Sequence, residues 1–141
     1  MFFGEFEHQV DAKNRIRIPA KLRQELANDY VFMRGTTKCI SVYSKQAFDE
    51  QFGSIKNISV FDKEALESLT EVLSLVFTAN EDGQGRVVLP EKLKKYAEID
   101  KEITFVGMLN HIDIYAKHVR DEMRQAKSYE ERIDFLRKMD K

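Results

Sequence analysis

Apolar and polar residues alternate along four short segments of the chain. Residues 5–10, 15–18, 75–80 and 86–89 show this period of two, with β-branched and aromatic residues among them. Such alternation is typical of a β-strand with one buried face and one exposed face. We therefore predict four short strands in two pairs, and the four-residue connections DAKN and DGQG join the members of each pair.

The two pairs belong to an internal repeat. The segment DAKNRIRIPAKLR, which starts at Asp11, returns as DGQGRVVLPEKLK, which starts at Asp82, at an offset of 71 positions. After one inserted residue the similarity continues at an offset of 72, beginning with Gly35 and Gly107. Two similar stretches in the same order indicate a duplicated structural unit.

Each connection in the repeat has the residues of a tight turn. Asp11 and Asp82 can accept hydrogen bonds from the turn backbone through their carboxylates, as in Asx turns. Asn14 and Gly85 occupy equivalent positions, and both residue types tolerate a positive φ. We predict that each D-x-x-x-R motif forms the tip of a β-hairpin, with Asp11 and Asp82 as structural residues and an arginine just past the turn.

The pattern after each turn predicts a short helix and two further strands. Pro19 and Pro90 suit the first turn of a helix, which would end near Ala27 in the first unit and near Ala97 in the second. The further strands are expected near residues 31–34, 39–43, 103–107 and 112–115.

Three amphipathic helices are predicted outside these strands. Ser44 and Asp62 suit the N-caps of two helices between the units, and Leu66, Leu69 and Leu73 form an apolar stripe on the second. In the tail, residues 128 and 131 have the spacing of a capping box at the start of a third helix.

Together these elements predict an α+β protein, mainly β with α, in which two tandem units pack as one pseudo-symmetric body. No low-complexity linker separates the units. The expected divisions are a first unit over residues 1–53, a connecting helix over 54–74, a second unit over 75–122 and a C-terminal helix over 123–141.

The charge distribution is more informative than the total charge. Hydrophobic residues make up 43% of the chain, charged residues make up 33%, and the net charge is −1, which together predict a globular protein. Between His8 and Asn28, however, five basic residues stand against two acidic ones. A basic stripe on an acidic body favours selective binding over indiscriminate coating of nucleic acid.

A basic hairpin tip is suited to DNA binding. A two-stranded ribbon can enter the major groove, where an arginine can contact a phosphate or pair with guanine. Lys13, Arg15 and Arg17 are expected to crowd the first tip, so the first unit should make most of the contacts. The second tip has only Arg86, which can equally be structural because Glu81 and Asp82 precede it. The predicted DNA-binding residues are Lys13, Asn14, Arg15, Arg17, Lys21, Arg23 and Arg86.

The sequence has no arrangement of residues typical of an enzyme or a metal site. Cys39 corresponds to His111 in the repeat and lies in a strand-like run, which favours a buried thiol over a nucleophile. His8, His111 and His118 lack the spacing of metal ligands, and the six glycines form no nucleotide-binding loop. We expect no catalysis, no cofactor, no metal and no small-molecule substrate.

The membrane is not an expected partner. No apolar run approaches the length that crosses a bilayer, and the start MFFGEFEHQV lacks the features of a signal peptide. A single cysteine excludes an intramolecular disulfide. These features predict a cytoplasmic protein.

The stretches MFFGEFEHQVDAKNRIRIPAKLR and DGQGRVVLPEKLKKYA, with FVGMLNHIDIY after the second, closely resemble the MraZ family over nearly the whole chain. The resemblance implies two AbrB/SpoVT-like units with swapped hairpins. It also implies a nucleoid-associated regulator of the division and cell-wall gene cluster, whose chains form rings that bind tandem promoter repeats. The family's first motif, most directly linked to DNA, corresponds to Asp11 through Arg15. Tyr115 is a departure, since many relatives carry tryptophan there.

Two functions from different classes remain open. One is a sequence-specific regulator that binds double-stranded DNA as a homo-oligomer. The other is an oligomeric interaction scaffold without specific DNA binding, whose basic tips bind an acidic protein. Replacing Arg15 with alanine is expected to abolish promoter binding in the first case while the oligomer persists. An antitoxin-like AbrB relative is a third option, against which the fused duplicate counts.

Overall fold

The computed structural model describes residues 1–140, and within them it has eight strands and six α-helices. The strands are β1 (Glu5–Gln9), β2 (Arg15–Arg17), β3 (Tyr30–Arg34), β4 (Ile40–Ser44), β5 (Phe77–Thr78), β6 (Arg86–Val88), β7 (Glu102–Gly107) and β8 (Ile112–Ala116). The helices are α1 (Ala20–Arg23), α2 (Lys45–Phe52), α3 (Lys63–Leu73), α4 (Glu91–Tyr96), α5 (Lys117–Ala126) and α6 (Tyr129–Met139), with a 3-10 turn over Gly53–Asn57. This content confirms the predicted α+β class.

The two units exchange strands. Six strands form an antiparallel sheet in the order β1-β7-β8-β4-β3-β5, and β2 pairs with β6 in a separate two-stranded ribbon. The strand β1 is equivalent to β5 in the repeat, β7 to β3 and β8 to β4. Equivalent strands follow in the same order from either edge of the sheet, so the sheet is pseudo-symmetric. Because β1 pairs with β7 of the second unit and β5 pairs with β3 of the first, the swapped-hairpin arrangement is confirmed.

The strands on either side of each turn do not form the local hairpins that the pattern predicted. The backbone N–H of Asp11 donates to the carbonyl of Arg15 at 3.0 Å, and that of Asp82 donates to the carbonyl of Arg86 at 2.8 Å. Beyond these hydrogen bonds the two strands that flank a turn separate, and each pairs with a different strand of the other unit. This pairing places the apolar sides of both three-residue strands, β2 and β6, in one common core.

The two faces of the six-stranded sheet carry different structures. Along β3, Tyr30 and Phe32 belong to the main core together with residues of the ribbon, α1 and α4. Val31 and Met33 point to the other face, where they pack against α2. The ribbon and α2 therefore lie on opposite sides of the sheet.

The helix caps agree with the prediction. The side chains of Ser44 and Asp62 accept hydrogen bonds from backbone N–H groups in the first turns of α2 and α3. Ser128 and Glu131 form the capping box at the start of α6. No helix within residues 1–140 is both long enough and apolar enough to cross a membrane.

Other expectations about the helices are wrong. Helix α1 is a single turn that ends at Arg23 rather than near Ala27, whereas α4 ends beside Ala97 as predicted. Helix α5 was not predicted. In the predicted apolar stripe of α3, for which no burial was predicted, Leu66 and Leu73 are 36% and 47% exposed and Leu69 is half-buried.

The equivalence of Gly35 and Gly107 is also wrong. Phe6 of β1 and Phe77 of β5 are equivalent positions, 71 residues apart. Their strand partners are Phe105 of β7 and Phe32 of β3, which are therefore equivalent to each other at an offset of 73. Gly107 therefore corresponds to Arg34. The physical reason is the loop length, because five residues connect β3 to β4 and four connect β7 to β8.

Candidate nucleic-acid interface

The β2–β6 ribbon brings the two halves of the repeat onto one surface. Across its strands, Arg15 lies opposite Val88 and Arg17 lies opposite Arg86. The residues between these pairs, one on each strand, are buried in the main core. The outer face of the ribbon, defined by Arg15, Arg17, Arg86 and Val88, therefore consists of three arginines and a valine that is 58% exposed.

Both turns at the ends of the ribbon have the same geometry. Oδ1 of Asp11 accepts hydrogen bonds from the backbone N–H groups of Lys13 and Arg15, both at 2.9 Å, while Oδ2 accepts one from Arg15 Nε at 2.8 Å. Asp82 makes the three equivalent bonds at 2.9 Å, the last of them with Arg86 Nε. Each aspartate thus links the turn backbone to the guanidinium that follows it.

These hydrogen bonds control the ionisation of both carboxyls. The backbone N–H of Arg15 is the main cause that lowers the pKa of Asp11, and the backbone N–H of Arg86 acts likewise on the pKa of Asp82. Both carboxylates remain charged at neutral pH. Within residues 1–140, the terminal nitrogens of these two arginines make no hydrogen bond, so they can still contact an anion.

Arg17 lies beside the second turn rather than the first. Its Nε donates to the carbonyl oxygen of Gln84 at 3.1 Å, and its strand partner is Arg86. The expectation that Arg17 crowds the first tip is wrong, because antiparallel pairing places the end of β2 next to the start of β6. Positive charge is therefore spread along the ribbon.

The turn positions 14 and 85 adopt the left-handed backbone conformation. Asn14 has φ 59° and Gly85 has φ 77°. The side-chain oxygen of Asn14 accepts a hydrogen bond from Lys94, and its backbone carbonyl accepts one from the N–H of Leu89 at 2.9 Å. Asn14 therefore connects the first turn to the second unit.

Arg23 is bound within the protein. Its Nε and Nη2 donate to the two carboxylate oxygens of Glu81 at 2.8 and 3.2 Å, and Nη1 donates to the carbonyl of Leu26 at 2.7 Å. The Tyr30 hydroxyl also donates to Glu81. Burial alone would raise the pKa of Glu81, but the hydrogen bonds from Arg23 and Tyr30 outweigh it and lower the pKa. This arrangement connects the end of α1 to the segment before the second turn.

The two predicted lysines are available to an anion. Lys13 lies in the first turn and Lys21 lies in α1, and both side chains are exposed. Neither side chain forms a hydrogen bond or ion pair with any residue of the part that the structure describes. Both lysines can bind phosphate as point charges.

Two further kinds of chemistry concern the thiol of Cys39 and the side chains that could bind a metal. Cys39 is 1% exposed, as predicted, and burial raises the pKa of its thiol to about 11. The thiol is therefore protonated at neutral pH. Among residues 1–140, no group of three or more histidine, cysteine, aspartate or glutamate side chains is arranged to hold a metal ion.

The fold and the ribbon together define a class of protein, in which two fused units exchange strands and present a basic two-stranded ribbon. The sequence profile of the MraZ protein family, a family described as antitoxin-like, matches residues 1–69 and 76–133. The chain belongs to the MraZ family.

Individual relatives agree with the family match over most of their length. A protein of Thermoanaerobacter sp. (strain X514) is 33% identical over 122 residues, which cover 86% of this chain and 85% of the relative. A protein of Caldanaerobacter subterraneus subsp. tengcongensis is 31% identical over 138 residues, or 96% of each chain. One of Clostridium beijerinckii is 34% identical over 126 residues, or 89% of each. All three are named transcriptional regulator MraZ.

Proposed function

We propose that this protein is a transcriptional regulator that binds double-stranded DNA through the outer face of the β2–β6 ribbon. The observation that carries the proposal is the position of Arg17 and Arg86, which come from different units and stand side by side on an exposed ribbon. The inner side of the ribbon is anchored in the core, so the arginines are held on a rigid support. The names of the relatives support the regulatory role.

The side chains of the ribbon suit the major groove. An arginine there can pair with guanine O6 and N7 or bind a phosphate. The exposed Val88 offers methyl groups for contact with thymine, and Lys13 and Lys21 flank the ribbon as phosphate ligands. Specificity would come from the arginines and the valine. Affinity would come from these residues together with the two lysines.

Not all the predicted contact residues keep that role in the proposal. Arg15 and Arg86 hold the turns through Nε and contact DNA through their terminal nitrogens. Asn14 and Arg23 stay outside the contact set because their side chains bind Lys94 and Glu81. Replacing Arg15 would disturb the turn as well as the contact, so Arg17 is the cleaner position for a test.

Several ribbons are needed for useful affinity. A single ribbon contacts few phosphates and would bind weakly at cellular salt. In a closed homo-oligomeric ring, several ribbons would bind tandem promoter repeats, and avidity can exceed the single-site affinity by roughly 10²–10⁴. We propose as targets the repeats upstream of the protein's own gene in the division and cell-wall cluster, which places the protein at the nucleoid in the cytoplasm.

A salt series of DNA binding tests the proposal. Fluorescence anisotropy would compare the wild-type protein on DNA from upstream of its own gene and on scrambled DNA, between roughly 50 and 200 mM salt. A regulator should bind the upstream DNA more tightly, should need several repeats and should lose affinity steeply with salt. Equal weak binding to both DNAs would contradict the proposal and favour a scaffold that binds an acidic protein.

A further inference from the structure

The two turns of the ribbon present different side chains on the same backbone geometry. The residue two positions after the aspartate is Lys13 in the first turn and Gln84 in the second, and both side chains are exposed. Within residues 1–140, the hydrogen bonds of both residues use backbone atoms, so the side chains are free. Equivalent positions at the two ends of the ribbon thus carry an ammonium group and a neutral amide.

The surroundings of the first turn are basic. Lys94 of α4 donates a hydrogen bond to the side-chain oxygen of Asn14. An ammonium group has three N–H donors, and those that remain on Lys94 have no hydrogen-bond partner in the part of the chain that the structure describes. Together with Lys13, this lysine gives the first turn two ammonium groups beside the one carboxylate of Asp11. A backbone phosphate is favoured in such an environment.

The second turn has less positive charge. Gly85 has no side chain that could hold a lysine. Arg23, which corresponds to Lys94 in the repeat, donates to Glu81 instead. The carboxylates of Glu81 and Asp82 lie beside the second turn, and each of them pairs with an arginine. A phosphate is therefore attracted less strongly to the second turn than to the first.

The backbone of Gln84 is held on both sides. Its N–H donates to Oδ1 of Asp82 at 2.9 Å, and its carbonyl oxygen accepts a hydrogen bond from Nε of Arg17 at 3.1 Å. The carbonyl of Lys13 has no such partner within residues 1–140, because Val88 takes the place of Arg17 in the repeat. The amide of Gln84 therefore extends from a fixed backbone, which recognition of a single base requires.

The two turns contact different parts of a duplex. They lie at opposite ends of the ribbon, and three residues of β-strand rise about 10 Å. Successive base pairs are about 3.4 Å apart, so the two turns cannot contact the same base pair. Each turn therefore has its own contact with DNA.

We propose that Gln84 recognises an adenine, while Lys13 and Lys94 bind backbone phosphates. This inference rests on the proposed function and adds a residue that determines specificity to the arginines of the outer face. The amide of a glutamine fits adenine in the major groove, because Oε1 accepts a hydrogen bond from N6 and Nε2 donates one to N7. The two lysines contribute affinity on any sequence.

A panel of labelled duplexes tests the role of Gln84. Each base pair of the upstream repeat would be substituted in turn, in every copy of the repeat, and binding would be measured by fluorescence anisotropy. Gln84→Ala should lose the preference for adenine at one position, by about 5–150-fold for each ribbon engaged, with the salt slope unchanged. At that position 7-deazaadenine, which lacks the N7 acceptor, should weaken binding of the wild-type protein but not of Gln84→Ala.

Variants of the first turn should behave differently. Lys13→Ala and Lys94→Gln should weaken binding to all duplexes alike and make the salt slope shallower by about 0.9 for each ribbon engaged. Lys94→Gln keeps a donor for Asn14. Gln46→Ala is the matched control for Gln84→Ala, because Gln46 is an exposed glutamine of α2, on the other side of the sheet, and it should bind as the wild-type protein does.

The outcomes separate this inference from the proposed function. If the wild-type protein prefers upstream DNA and Gln84→Ala keeps the wild-type preference at every position, the inference alone is overturned. A uniform loss of affinity in Gln84→Ala would assign its amide to the DNA backbone and would also overturn the inference. Lysine variants with the wild-type salt slope overturn the phosphate contacts. A wild-type protein without preference for upstream DNA contradicts the proposed function itself.

Discussion

Arg17 of the first unit lies directly opposite Arg86 of the second unit on the outer face of the ribbon. Like charges at directly opposed positions of a sheet are destabilising. A bound polyanion removes this repulsion. The two arginines therefore lower the stability of the free protein and stabilise its complex with the polyanion. Such a cost is typical of a binding surface rather than of a structural feature.

Arg17→Ala should weaken binding to upstream DNA without unfolding the protein. If Arg17 neutralises one phosphate, the slope of log K against log salt should become shallower by about 0.9 for each ribbon engaged. Lys56→Ala is the control, because Lys56 lies in the 3-10 turn that follows α2, on the other side of the sheet. An Arg17→Ala protein with the wild-type affinity and slope would remove the ribbon from the DNA contact.

Truncation of two neighbouring residues of the second unit should affect different properties, namely stability at Leu89 and DNA affinity at Val88. Leu89 is buried in the main core, so Leu89→Ala should lower the free energy of unfolding by about 2–5 kcal/mol. Val88→Ala should change stability by less than about 0.5 kcal/mol and should reduce DNA affinity. Urea unfolding and anisotropy measure the two effects, and a large loss of stability in Val88→Ala would contradict the orientation of β6.

The turn at Gly85 should resist a β-carbon. Because Gly85 has φ 77°, Gly85→Ala should cost about 1–2 kcal/mol of unfolding free energy. Gly83→Ala is the matched control, since open space surrounds the position of its β-carbon and its φ is not in the left-handed region. Gly85→Asn should be better tolerated than Gly85→Ala, as Asn14 adopts this conformation in the equivalent turn. Equal effects of Gly83→Ala and Gly85→Ala in thermal unfolding would contradict this account.

Glu81 should contribute to stability at neutral pH and lose that contribution in acid. Glu81→Gln removes the charge that Arg23 and Tyr30 share, and should cost about 1–3 kcal/mol at pH 7. Because the pKa of Glu81 is lowered by folding, its contribution is present above its ordinary pKa and is lost as pH falls through the lowered value. Urea unfolding between about pH 7 and pH 3 should therefore show the two proteins converging in acid. A constant difference over this range would be the contrary result.

Cys39 should be unreactive in the folded protein. Its burial and a thiol pKa of about 11 leave almost no thiolate at pH 7.5. Iodoacetamide should label it only after unfolding in guanidinium chloride, as intact-mass spectrometry can measure. Rapid labelling of the native protein would reopen the possibility of a nucleophilic role.

Much of this protein could be predicted from local sequence. The caps of α2, α3 and α6 depend on side chains within three residues of each helix start. The positive φ at Asn14 and Gly85 follows from residue types that tolerate it. The strands were predicted within a few residues because alternation marks a half-buried strand whatever its partner.

The tertiary structure alone decided which strands pair and which side chains meet. A three-residue strand such as β2 does not specify its partner, and pairing it with β6 instead of β1 moved Arg17 to the second turn and opposite Arg86. The ion pair of Arg23 with Glu81 joins positions 58 residues apart and has no local signal. Periodicity placed an apolar stripe on α3, but only the packed chain showed that Leu66 and Leu73 are exposed while Leu69 is half-buried. Local sequence determines backbone conformation and amphipathic pattern, whereas partner choice depends on the burial of the whole chain.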